Sequence, residues 1–180
     1  MRHLPLLAAL SLALLAVGCG ARPTRDEARA ASIERAFVGR FAGTLEDRGP
    51  SSDQRVTRPV RLIGEALDEG GVELTFEHDA GGGRIERSVS RLRVDPATRT
   101  MTWTSDGERV VETHAVELFA SFTGMGELIV NGRSAESDQP VDVRTVYSLA
   151  MGRITWQRDT RPAGGSFAFR YRYTLNRQRR

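Results

Sequence analysis

Two periodicities of apolar and polar residues divide the chain after residue 23. Ala30, Ile33 and Phe37 recur at helical spacing, and residues 24–27 before them (Thr-Arg-Asp-Glu) form a capping box. From residue 38 to about residue 176, apolar and polar side chains alternate with a period of two, as in strands with one buried face. The pattern therefore predicts a helix over residues 24–37 and a β domain over residues 38–176.

Clusters of turn-forming residues separate the alternating runs. They include the glycine-rich stretch 79–83, the pair Asn131-Gly132 and the stretch 162–165. About ten strands are predicted, near residues 38–47, 55–66, 71–79, 84–94, 99–105, 109–119, 126–134, 141–150, 153–158 and 166–176. Short connections favour an antiparallel meander, and closing a meander of this size removes its exposed edges. We expect an all-β fold, a closed barrel preceded by one short helix.

The first residues have a different pattern. A basic start at Arg2 precedes an almost unbroken run of Leu and Ala over residues 4–17, which is typical of a secretory signal. A run of fourteen residues makes about 21 Å of helix, which is too short for a hydrocarbon core of about 30 Å. We predict a signal peptide over residues 1–18.

The end of this segment resembles the bacterial lipobox. Leu15-Ala16-Val17-Gly18 leads into Cys19, the only cysteine of the chain. The resemblance implies that Cys19 carries acyl chains, that residues 19–23 form a short tether, and that the protein is anchored in a bacterial cell envelope. In such lipoproteins an aspartate after the cysteine retains the protein at the inner membrane. Gly20 stands at that position, which implies an outer-membrane location facing the periplasm.

The amino-acid composition excludes several kinds of function. A single cysteine excludes a disulfide framework, a cysteine-based zinc site and, once acylated, thiol catalysis. All 26 basic residues are arginine, so lysine-based Schiff-base chemistry is excluded. The net charge is only +3, and acidic and basic residues are interleaved, which does not favour a nucleic-acid partner. The end of the chain, residues 177–180, is predicted to be a basic tail.

A transmembrane barrel is the main alternative to a soluble one. Such a barrel needs strands of about ten residues with an apolar lipid-facing side. Several predicted strands here are shorter, and some carry charges on both faces. We therefore expect a barrel that lies outside the bilayer, held there by the anchor at Cys19.

The beginning of the β domain resembles the lipocalins and the wider calycin group. After a short helix, Gly39-x-Phe41 stands where lipocalins have Gly-x-Trp on the first strand. The resemblance implies a lipocalin-like barrel with an internal ligand site. In the related fatty-acid-binding proteins, Arg-x-Tyr on the last strand holds a carboxylate. Here Arg170-Tyr171-Arg172-Tyr173 alternates the two residue types one apart, which places them on opposite faces.

Candidate catalytic and metal-binding residues are few. Apart from His3 in the signal, the histidines are His78, expected in a solvated turn, and His114, expected as a hydrogen-bonded barrel residue. Two histidines without ligand spacing do not indicate a metal site. No nucleophile motif or phosphate loop is present in the sequence. We expect no cofactor, no metal and no catalysis.

The aromatic residues are the remaining indication of function. The apolar faces of several strands converge inside a barrel, and Arg158 shares a face with Trp156. The candidate ligand-binding residues are Trp103, Tyr147, Trp156, Arg158, Phe169 and Tyr171. The leading hypothesis is non-catalytic binding of a small apolar or amphipathic molecule in the barrel. The alternative is a structural or protein-interaction lipoprotein with a filled barrel and no ligand, in which Arg158 is exposed at its strand end.

Overall fold

The structure, a computed structural model, describes residues 22–48, 54–105, 110–136 and 139–179. The predicted signal over residues 1–18 and the acylation site Cys19 lie outside the described residues. Among the described residues, no helix has the length and apolarity needed to cross a membrane.

Helix α1, Arg25–Ala36, begins as the capping box predicts. The Thr24 side chain accepts a hydrogen bond from the backbone N–H of Glu27, and the Glu27 carboxylate accepts one from the backbone N–H of Thr24. This reciprocal pair satisfies two donors that a helix N-terminus otherwise leaves without partners.

Ten antiparallel strands follow α1 and close into a barrel, so the predicted fold class is confirmed. The strands are β1 (Gly39–Arg48), β2 (Arg55–Ala66), β3 (Val72–Asp79), β4 (Ile85–Asp95), β5 (Thr100–Ser105), β6 (Val110–Val116), β7 (Gly126–Glu136), β8 (Gln139–Ala150), β9 (Arg153–Pro162) and β10 (Ala168–Arg177). Each strand pairs with its neighbours in sequence, and β1 pairs with β10 to close the barrel.

Helix α1 lies across one end of the barrel. Its C-cap residue Phe37 is fully buried, with its ring against those of Trp103, Tyr147 and Trp156. The carboxylate of Glu34 accepts backbone hydrogen bonds from Gly71 and Val94, at 3.2 and 2.8 Å. These contacts fix the helix to the end where β2, β4, β6, β8 and β10 finish. The other end is the mouth of the barrel.

The core follows the predicted alternation. On β8, for example, Val141, Val143, Thr145, Tyr147 and Leu149 are buried, while the residues between them are less so. The end nearest α1 is filled by aliphatic side chains together with phenylalanine rings, and the middle of the barrel by the tryptophan and tyrosine rings.

Some predicted details differ from the structure. Asn131-Gly132, taken as a turn signal, lies in the middle of β7. Strand β6 ends at Val116, and a short 3-10 helix, Phe119–Ser121, occupies the connection to β7. Strand β9 continues to Pro162, and β10 includes Arg177, the first residue of the predicted tail. In each case long-range pairing, which local sequence does not show, decides where the strand ends.

Candidate functional site

A cavity of about 210 Å³ lies inside the barrel, on the mouth side of Phe37. Aromatic rings line one part of its wall, and hydroxyl and charged groups line another. The lining residues are Phe76, Ser88, Ser90, Trp103, Ser105, Glu112, His114, Thr145, Tyr147, Trp156, Arg158, Tyr171 and Tyr173.

The aromatic wall is a continuous set of ring contacts. Trp156 is its centre, stacked on Tyr173 at 4.4 Å and lying 6.4 Å from Trp103, centroid to centroid. Tyr147 lies 6.1 Å from Trp156, and its hydroxyl accepts a hydrogen bond of 3.1 Å from the indole N–H of Trp103. This bond satisfies two polar atoms, so the wall offers mainly ring faces to the cavity.

The polar wall is built on an ion pair between β6 and β9. Arg158 Nη1 and Nη2 donate to Glu112 Oε2 and Oε1 at 2.5 and 2.8 Å, a bidentate arrangement. The two side chains are only 12% and 15% exposed. Tyr171 on β10 is the cross-strand partner of Arg158. The predicted candidate Arg158 therefore faces inward and is neutralised, and it is not exposed at the end of its strand.

The ion pair sets the protonation state of Glu112. Burial raises the pKa of this carboxyl, but hydrogen bonds from Arg158 and Ser134, together with the nearby His114 imidazole, outweigh burial and hold the pKa well below its usual range. For Arg158, burial lowers the pKa of the guanidinium, and Glu112 more than restores it. Both groups stay charged at neutral pH, and their charges cancel within the cavity wall.

His114 completes this cluster as a buried barrel residue, but the hydrogen bond predicted for it is not formed at Nε2. It is 2% exposed, and its Nε2 lies 3.5 Å from Glu112 Oε2, the outer limit of a hydrogen bond. Nε2 has no closer partner among the described residues. Gly132 on β7 makes room for the ring, since a Cβ there would lie 2.4 Å from His114 Cδ2.

Three serines form the rest of the polar wall. Ser88 and Ser90 on β4 and Ser105 on β5 point into the cavity, where Ser90 Oγ and Ser105 Oγ lie 3.5 Å apart. Each hydroxyl rotates freely and both donates and accepts hydrogen bonds. They can therefore adapt to the polar groups of a small molecule.

A second cavity, of about 250 Å³, lies beside the first and shares Tyr171 and Tyr173 with it. Arg48, Arg58 and Arg170 line it together with Leu45 and Asp47. Arg58 forms an ion pair with Asp47, and Arg170 with Glu136. The Nε atom of Arg58 is buried without a hydrogen-bond partner in the described structure. Among the described residues, this cavity is therefore lined by arginines whose charges are at least partly balanced, and the Arg58 Nε–H is the donor left without an acceptor.

His78 lies half-buried near the end of β3 rather than in a solvated turn. Its Nε2 is 3.0 Å from the hydroxyl of Tyr173, and its ring stacks on Phe76. Burial lowers the pKa of His78, and the nearby Arg58 lowers it further, against the opposing effects of Glu86 and Asp47. The imidazole is therefore mainly neutral at physiological pH.

Phe169 is the one candidate residue that does not line the cavity. The pairing of β10 with β9 shifts register between Phe169 and Tyr171, a bulge that changes the side on which the strand places its residues. Phe169 packs instead under the guanidinium groups of Arg55 and Arg172, at 4.2 and 5.8 Å. The other five candidates, Trp103, Tyr147, Trp156, Arg158 and Tyr171, all line the cavity.

Sequence reasoning missed the polar part of the site. Glu112 occupies a position of β6 that shares its face with His114, and Ser88 and Ser90 share the inner face of β4 with Leu92. The alternation of inward and outward side chains could have identified these residues. Each lies an even number of positions from a core residue of the same strand and therefore faces inward. Among the described residues, no group of three or more His, Cys, Asp and Glu side chains is placed to hold a metal ion.

Comparison with known proteins supports the fold and gives no information on the site. No family model matches the chain. No curated protein matches it in sequence. A solved structure described as Rv2717c from M. tuberculosis has a TM-score of 0.58 at 14% identity, covering 83% of this chain and 99% of that one. A likeness at this level of identity shows the fold alone, which for this chain is a ten-stranded closed barrel with a short helix before it.

Proposed function

We propose that this protein is a lipid-anchored envelope protein that binds a small amphipathic molecule inside its barrel, without transforming it. The observation that carries the proposal is the divided cavity wall, with stacked rings on one side and serines, His114 and a neutralised ion pair on the other. Small-molecule sites combine apolar surface with convergent polar groups, and this cavity has both, with about half of its lining residues polar.

Size and charge narrow the ligand. A volume of about 210 Å³ is below the roughly 300–1,000 Å³ of drug-sized sites, so we expect a small molecule. The Glu112–Arg158 pair has no net charge and favours neutral hydrogen-bonding groups. The buried Arg58 Nε–H, which has no acceptor among the described residues, favours a hydrogen-bond acceptor such as a carboxylate in the second cavity. A ligand with a flat apolar body, a hydroxyl or carbonyl, and such an acceptor at its end fits both cavities.

The protonation states of Glu112 and of the cavity tyrosines argue against acid–base catalysis in this site. Glu112 has a pKa well below its usual range, because of its hydrogen bonds, so it is a poor proton acceptor at neutral pH. Burial also raises the pKa values of Tyr147, Tyr171 and Tyr173, so these phenols do not ionise readily. The proposed role is therefore binding.

A filled barrel with a structural role remains the second candidate. The edge-to-face packing of Phe37 against Trp103 and Tyr147 favours it, since this part of the interior has no room for a ligand. Native mass spectrometry of the full-length protein from its own host envelope, with lipid extraction, separates the two. A defined co-purifying molecule supports the carrier. A bare protein mass, with no thermal shift on adding amphipathic anions, supports the filled barrel.

A pair of variants tests the location of the ligand. Ser90→Phe places a ring in the cavity, whereas Val89→Phe places the same ring on the outer face of the same strand, where Val89 is 36% exposed. We expect Ser90→Phe to lose the co-purifying molecule and Val89→Phe to keep it. Near-UV circular dichroism checks that both variants fold. Retention of the molecule by folded Ser90→Phe would rule out this cavity.

A further inference from the structure

Large apolar side chains are exposed at the α1 end of the barrel. Met151 in the β8–β9 turn is 91% exposed, Leu118 after β6 is 77% exposed, and Met125 before β7 is 60% exposed. All three lie in connections at the end that α1 covers. The exposed aliphatic residues Val56, Ile85, Val89 and Val111 are instead single side chains spread over three strands, which is normal for a surface.

Exposed arginines lie beside two of these apolar side chains, Met125 and Met151. A surface groove between α1 and the β8–β9 turn is lined by Met125, Met151, Arg35 and Arg153. Both arginines are exposed. Aliphatic and sulfur-containing tips flanked by arginines match the boundary between anionic headgroups and acyl chains, where apolar groups insert and guanidinium groups bind phosphates.

The start of the described chain lies at this same end. Arg99, in the β4–β5 connection, pairs with Asp26 in the first turn of α1. From Arg22, the first described residue, only three residue steps lead back to Cys19, at most about 11 Å of chain. An acyl anchor at Cys19 would therefore hold the α1 end close to the bilayer surface.

We propose that the α1 end of the barrel is a membrane-docking face, in which Leu118, Met125 and Met151 insert between lipid headgroups and Arg35 and Arg153 contact lipid phosphates. The inference rests on the lipid anchor that is part of the proposed function. It adds an orientation, because a barrel docked by its α1 end has its mouth pointing away from the membrane. The ligand would then enter and leave through water.

Site-directed spin labelling measures this orientation. The full-length protein is reconstituted in phosphatidylethanolamine–phosphatidylglycerol vesicles after Met125→Cys or Ile85→Cys substitution. The two positions are equally exposed, at 60%, but lie at opposite ends of the barrel. Collisions of the nitroxide with oxygen, which concentrates in lipid, and with an aqueous nickel complex then report the depth of each label.

Docking predicts a severalfold loss of nickel accessibility at position 125 on adding vesicles, with a gain in oxygen accessibility, and little change at position 85. Equal aqueous exposure of both labels would overturn the docking face. The anchor is tested separately on the wild-type protein, whose only cysteine is Cys19. If Cys19 is not acylated, its free thiol takes up the spin label. In that case the pair is measured with Cys19→Ser added, and the same two outcomes decide the docking.

Discussion

At the scale of single residues, the Glu112–Arg158 pair is the most consequential contact in the barrel. It places two opposite charges next to the aromatic part of the wall, and each charge depends on the other because both are largely shielded from water. The bidentate geometry also fixes the position of Arg158 beside Tyr171, between the two cavities.

Removal of one partner should therefore cost more than removal of both. We expect Glu112→Ala to lower the free energy of unfolding by about 3 kcal/mol, because it leaves Arg158 buried without a counter-charge. The double variant Glu112→Leu with Arg158→Met should cost clearly less. Urea unfolding monitored by tryptophan fluorescence measures both. If the single and double variants are equally unstable, the interior is more hydrated than the contacts indicate.

His78 should make stability depend on pH in the mildly acidic range. Its folded-state pKa lies below the ordinary value of 6.5, so below pH 6.5 the unfolded chain binds a proton that the folded chain resists. We expect the free energy of unfolding to fall as pH drops from 7.5 to 5.5. His78→Gln should flatten this dependence, as measured by urea unfolding across that range. An unchanged slope in the variant would assign the pH dependence to other groups.

At the scale of secondary-structure elements, alternation predicted the strands well and their irregularities poorly. All ten strands overlap the predicted positions, because one buried face imposes a period of two on each. The bulge before Tyr171 is invisible to that pattern, since it depends on pairing with β9. Gly132 resembles a turn residue next to Asn131, but the structure uses it as space for His114.

The same limit applies to the site. Five of the six predicted residues, four rings and Arg158, line the cavity because side chains on inner faces must converge in a closed barrel. The ion pair could not be predicted, because β6 and β9 meet across the interior and not through adjacent pairing. The closure of the barrel and the stagger of its strands decide which inward-facing charged residues meet. The sequence of a single strand does not show either property.

Helix α1 is attached to the barrel chiefly by Glu34 and Phe37. We expect Glu34→Ala to cost about 2 kcal/mol, because the backbone N–H groups of Gly71 and Val94 lose their charged acceptor. Hydrogen exchange followed by mass spectrometry should show α1 losing protection while the strands keep theirs. Arg25→Ala, at an exposed position of the same helix, is the matched control. Uniform loss of protection along the chain would mean that helix and barrel unfold together.

At the scale of the whole molecule, the proposed anchor decides where the barrel works. We expect Cys19→Ala to move the protein from the membrane fraction to the soluble fraction, because the lost acyl chains supply stable attachment. Fractionation of host cells with immunoblotting measures this, with the unsubstituted protein as control. Retention of the variant in the membrane fraction after an alkaline carbonate wash, which removes peripherally docked protein, would contradict the lipoprotein assignment.

Closure of the barrel has a consequence for how the protein is made. Nine of the ten strand pairings join neighbours in sequence and form as soon as both strands have left the ribosome or an export channel. The pairing of β1 with β10 must wait for almost the last residues, with Leu45 opposite Tyr173 and Phe41 opposite Arg177. Until then the nascent sheet has two open edges that invite aggregation. A chain that stops before β10 would keep those edges permanently, so a late nonsense mutation should yield an insoluble product.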